Sequence, residues 1–147
     1  MLLRKMFHSH GYCLLEADLS LDWLDRLAAD FKSLSTDGYS ARGVLKKSAV
    51  VAEVAELLTE AASEILGAKA IATKATYFDK TPESNWAVPW HQDPTITLSE
   101  KVEIEGFHHW RLKEKLWHVQ PPLEVLEATL ALRLHIDDCC KDSGPLR

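Results

Sequence analysis

The 147-residue chain has few cysteines, few glycines, no excess of positive charge and no long apolar run. Each shortage excludes something. The three cysteines, Cys13 and the adjacent Cys139 and Cys140, show no framework spacing. This points away from a disulfide-stapled secreted domain and toward a reducing compartment, so a cytoplasmic location is expected. The adjacent pair reads either as a redox or metal-binding pair or as two thiols near a strand end. The second reading is favoured, because neighbouring strand residues point to opposite faces. The six glycines form no Gly-rich loop of the kind that cradles phosphates. Lys and Arg number 17 against 22 Asp and Glu, a net charge of −5, and Arg4-Lys5 and Lys46-Lys47 are the only adjacent basic pairs. A basic footprint for nucleic acid or an anionic membrane is therefore not expected. No run approaches the roughly 18 apolar residues that span a bilayer. The start, "MLLRKMFHSHGY", has no apolar core behind its charges, so no signal peptide is expected.

What is present is an ordinary globular composition, 46% hydrophobic and 27% charged, which argues for one folded domain over 1–147. "FHSHGYCLLEADLS" reads as a short extended lead-in followed by a helix start, with Ser20 as N-cap. Leu24, Leu27, Ala28, Phe31 and Leu34 then recur at helical spacing, and Gly38 supplies a stop. A second helix opens near Ser48, with Val51, Val54, Leu58, Ala61, Ala62 and Ile65 along one side and Gly67 closing it. From Lys69 the character changes. "KAIATKATYFDK" reads as a strand, "DKTPESN" as a turn, and "WAVPWHQ" as an extended run that Pro89 marks as edge or irregular. "LSEKVEIEGFHHWRLKEK" reads as an excursion with a short helix or turn, followed by a strand at "LWHVQ". Over 128–137, Ala128, Leu130, Leu132, Leu134 and Ile136 alternate with Thr129, Ala131, Arg133, His135 and Asp137, which predicts a strand with one apolar face. Two helices followed by strands with long connections give an α+β class or a helix-decorated β fold, not a βαβ alternation.

The spacing His-x-Asp occurs twice, as His91-Gln92-Asp93 and His135-Ile136-Asp137. In extended chain, residues i and i+2 face the same side, so one imidazole and one carboxylate can converge on one ion. With a further histidine they would form the facial triad of non-haem iron oxygenases. His135 and Asp137 fit the polar face of an amphipathic strand. His91 and Asp93 stand where an extended run feeds a loop, between Trp90 and Pro94, and Trp90 is a possible pocket wall.

Read together, four stretches resemble the phytanoyl-CoA dioxygenase family of Fe(II)/2-oxoglutarate oxygenases, in the family's order: "FHSHGYCLLEADLS", "KATYFDKTPESN", "WAVPWHQDPT" and "LRLHIDDCCKDSGPLR". The resemblance implies a mainly β double-stranded β-helix, a jelly-roll and cupin relative, with N-terminal helices. Residues 1–67 would be the helical part and 68–147 the first half of the β-helix. It implies His91 and Asp93 as iron ligands, with Fe(II) as cofactor, and matches "LHIDD" to a strand that binds no metal. Thr76, four residues before Lys80, and Trp110, 17 residues past Asp93, match positions around 2-oxoglutarate, the co-substrate. The implied activity is hydroxylation of a small organic substrate. The family's distal histidine, and an arginine that holds 2-oxoglutarate, follow the Gly-Pro-Leu turn, beyond Arg147. The chain is therefore expected to be a fragment with weak or no activity alone. The alternative expectation is a catalytically inactive interaction module, dimeric or otherwise self-associating through open strand edges. A third is a cupin-like metal protein that takes His135 as third ligand.

Overall fold

A computed structural model describes residues 2–16, 19–34, 39–86, 88–113 and 115–140. Helix α1 spans Leu2–His10. Here the expectation of an extended lead-in fails, because "FHSH" is the last part of this helix. Leu3 and Phe7 lie one turn apart on its half-buried side, and α1 packs along a later helix, where the Leu3 N–H donates to Glu64 Oε1 at 3.2 Å. Gly11 ends it in the left-handed region, φ 77°, its N–H donating to Phe7 O at 2.7 Å.

Helix α2, Leu21–Leu34, begins directly after Ser20, with the Trp23 N–H donating to Ser20 O at 3.0 Å. Leu27 and Phe31 are its buried residues, as their spacing predicts. The stop expected at Gly38 lies outside the described residues. Strand β1, Ser40–Arg42, is followed by the short helix α3, Val44–Lys47. Ser48 then serves two helices. Its N–H closes α3 on Val44 O at 2.9 Å, and its Oγ caps α4 (Ala49–Leu66) by accepting from the Val51 N–H at 3.0 Å. Val51, Val54, Ala62 and Ile65 are buried along α4, and Gly67 ends it at φ 71°.

Strand β2, Thr76–Phe78, pairs antiparallel with β1 in the register Ser40↔Phe78, Ala41↔Tyr77, Arg42↔Thr76. The predicted strand from Lys69 is thus reduced to three residues, the length of its partner. Leu27, Phe31, Ala41, Val44, Val51 and Val54 form the main core, and Tyr77 stacks on Phe31 with ring centroids 4.0 Å apart. Thr81 and Ser84 bridge across the expected turn, the Ser84 N–H donating to Thr81 O at 3.0 Å.

The second sheet holds β3 (Ile96–Leu98), β4 (His108–Lys113) and β5 (Leu116–Gln120), antiparallel in the order β3-β5-β4. Strand β5 coincides with the expected "LWHVQ". The excursion before it makes a turn at Gly106, φ 82°, and then becomes β4 rather than a helix. Helix α5, Leu123–Glu127, follows.

Two expectations need correction. Residues 128–137 belong to neither sheet. Only the end of the alternation is used: Leu134 and Ile136 pack against the core while His135 and Asp137 are exposed, but Ala128 and Leu132 of the same predicted face are exposed too. An inward-outward alternation needs only a core to lie on, whereas a strand needs a neighbouring backbone as well. The mainly β character also fails, because helix outweighs strand among the described residues. The architecture is mixed α+β, with helices and two small, unclosed antiparallel sheets. Among the described residues no helix is long and apolar enough to cross a membrane.

Candidate metal site

The loop that carries His91 and Asp93 is anchored upstream by Lys80, the lysine of "DKTP". Its Nζ donates to Trp86 O at 3.0 Å and lies 4.6 Å from the centre of the Trp86 ring. Phe78 at the end of β2 meets the same ring, 6.0 Å between centroids. Downstream, the loop runs into β3 at Ile96. Residues 88–95 are irregular, and Pro89 and Pro94 within them lack the N–H that a strand ladder would use.

His91 Nδ1 lies 2.8 Å from Pro89 O. A carbonyl only accepts, so Nδ1 carries the proton and donates. In the neutral imidazole this leaves the Nε2 lone pair free, which is how ligating histidines are usually oriented. Nε2 faces Asp93 Oδ1 at 3.7 Å. Adjacent donors on one ion stand about 3.0 Å apart in octahedral and about 3.4 Å apart in tetrahedral geometry, for bonds near 2.1 Å. The pair is therefore slightly open for coordination, and the two side chains, 52% and 82% exposed, are not packed against closing. With His91 protonated the same geometry is a solvent-exposed ion pair. Trp90 does not wall a pocket, since 84% of it is exposed.

No third donor joins them among the described residues. Among the described residues no group of three or more His, Cys, Asp or Glu is placed to hold a metal ion, so His135 does not complete the set. The second His-x-Asp lies elsewhere in the fold. Asp137 is near enough to Tyr77 to act on its hydroxyl, whose pKa is raised by burial first and then by the charges of Asp79 and Asp137.

Thr76 sits half-buried in β2, opposite Arg42. Trp110 sits half-buried on β4, edge-to-face with Trp117 at 6.2 Å. They are in different sheets. Two cavities, of about 50 Å³ and about 370 Å³, include neither of them in their linings, nor His91 or Asp93. The larger begins at Pro94, directly after Asp93, and runs over the polar face of the three-stranded sheet. Apart from His118 of β5, its basic side chains come from "HHWRLK", where His109, Arg111 and Lys113 recur every second residue. That strand period is visible in the sequence, inside the stretch expected to be an excursion. The expected "SGPL" turn lies outside the described residues.

The chain matches no protein-family model, no curated protein and no solved structure.

Proposed function

We propose that the chain is a domain of an Fe(II)/2-oxoglutarate-dependent hydroxylase resembling the phytanoyl-CoA dioxygenases, of jelly-roll ancestry, acting on a small organic substrate in the cytoplasm. His91 Nε2 and Asp93 would hold the iron. The observation that supports this is the hydrogen bond from His91 Nδ1 to Pro89 O, which leaves Nε2 as the available donor beside a carboxylate oxygen. One nitrogen and one oxygen donor suit a ferrous ion of borderline softness. Iron held there would, with 2-oxoglutarate and O₂ as co-substrates, supply the oxidising power for a C–H bond, one oxygen atom of O₂ ending in the hydroxyl and the other in succinate, with CO₂ released. The chain's own residues supply position. Pro89 O orients the imidazole, Lys80 pins the loop through Trp86, and Asp93 keeps a carboxylate where halogenating relatives carry a small residue, which favours hydroxylation. The assignment of Thr76 and Trp110 to 2-oxoglutarate rests on the resemblance alone.

Two exposed donors chelate poorly, so Fe(II) binding is expected to be weak and turnover small or absent. Anaerobic titration of the chain with Fe(II) and 2-oxoglutarate tests this. The expected result is a weak signal at high metal concentration that is lost in His91→Ala and in Asp93→Ala but kept in His135→Ala. Metal binding that survives His91→Ala would overturn the site. A charge-transfer band at micromolar Fe(II) would overturn its weakness.

A second reading, a catalytically inactive interaction module, is favoured by one observation. Among the described residues neither sheet closes, and large apolar side chains such as Leu14, Ile71 and Trp90 are more than 70% exposed.

A further inference from the structure

The three-stranded sheet is two-faced. On one side Leu98 and Leu112 flank Trp117 in register, Ile96 flanks Val119, and Val119 is fully buried. On the other side Thr97 and Arg111 flank His118. A groove of about 370 Å³ runs over this second face. Arg111, Lys113, His109 and His118 line it with Thr95 and Gln120, and no carboxylate is among its described lining residues. Strand alternation brings Arg111 and Lys113 to the same face, and the antiparallel register places His118 beside Arg111. His109 joins them through a bulge. The register shifts between His108 and Arg111, and His109 takes φ 57°, a conformation uncommon for a side-chain-bearing residue, although histidine is among those that tolerate it best. A bulge of this kind re-aims a side chain. The result is a concentration of positive charge on a chain whose net charge is −5.

We infer that this groove binds the anionic end of a small organic molecule carrying a multivalent oxyanion. Arg111 offers a planar fork of donors and Lys113 a mobile point charge, the combination that recognises phosphate and carboxylate groups. Thr95 and Gln120 can hydrogen-bond the remaining oxygens or a neighbouring hydroxyl. The volume exceeds what one inorganic anion fills and lies within the range of small-molecule sites, about 300 to 1,000 Å³. Because the groove begins at Pro94, an occupant would lie next to the His91–Asp93 loop. The inference deepens the oxygenase reading by naming a substrate class, but the binding itself does not depend on iron.

Calorimetric titration of the metal-free full chain at low ionic strength, with pyrophosphate and separately with citrate, tests it. Saturable binding of at least one probe is expected. It should weaken by about tenfold or more in Arg111→Gln, as the loss of a charge-assisted contact implies, and also in Lys113→Gln. Added salt should weaken it further. Both side chains are exposed, so circular dichroism should show an unchanged fold, and either variant suffices if the other misfolds. Binding of pyrophosphate alone assigns a phosphate-bearing ligand and binding of citrate alone a carboxylate-bearing one. Binding of both supports the shared oxyanion chemistry. No saturable binding, or binding unaffected by both substitutions, overturns the inference. Since the titration contains no iron, its failure leaves the His91–Asp93 site untouched, and failure of that site leaves this result standing.

Discussion

Tyr77 shows how one side chain ties the core to the loop beyond it. Its ring stacks on Phe31 in the core, and its hydroxyl meets the charges of Asp79 and Asp137. Burial and then those charges disfavour the phenolate, so the folded-state pKa lies above the usual tyrosine value of 10.0. The linkage has a definite sign. The contribution to stability is fully present below the unfolded-state value and is lost as pH rises through the folded one, because the unfolded chain releases its proton first. Denaturation midpoints measured from pH 8 to pH 11 should therefore fall more steeply in the wild type than in Tyr77→Phe. Equal slopes would show that the hydroxyl does not feel its surroundings. His91 teaches a similar lesson at the same scale, since one backbone carbonyl decides which of its nitrogens is available.

Among the elements, the junction at Ser48 organises the helical part. The residue is only 3% exposed, and it provides the cap that starts α4 while its own N–H closes α3. Ser48→Ala should leave the Val51 N–H without its partner in a buried setting. The expected cost is about 1 kcal/mol, with a range of roughly 0.5 to 2. A lower urea midpoint with an unchanged slope is the expected outcome, and an unchanged midpoint would mean that another acceptor replaces the serine oxygen. The β4–β5 hairpin shows the same economy in a sheet. Its alternation sends Trp110, Leu112, Trp117 and Val119 to one side and the basic groove to the other. The bulge at His109 adjusts the register without breaking the pair.

For the whole molecule, the decisive feature is what stays open. Among the described residues the sheets are two and three strands wide and neither closes, and residues 128–137 join neither, with Leu134 and Ile136 packed against the core. Open edges and exposed apolar side chains together favour association between copies. Light scattering coupled to size-exclusion chromatography should give a mass that rises above the monomer with concentration. A strictly monomeric peak at every concentration would remove the interaction-module reading. A discrete, soluble dimer would favour that module, and progressive aggregation would favour an exposed fragment of a larger β-structure.

What the sequence determined by itself is local. The apolar spacing of α2 and α4, the helix start near Ser48, the stop at Gly67, the turn at Thr81–Ser84 and the strand 116–120 are all legible, because each depends on neighbours within a few residues. So is the placement of His91 and Asp93 on one side of a short loop. The tertiary structure decided everything that depends on a distant partner. Ser40 meets Phe78, β3 pairs with β5 rather than with the nearer β4, and the alternating segment at 128–137 puts only Leu134 and Ile136 on the core, without a ladder. It also decided that His91 and Asp93 stand exposed with no third donor among the described residues, while Arg111 and Lys113 face one groove. Periodicity along a chain says which side a residue faces. Only the packed partner says what that side meets.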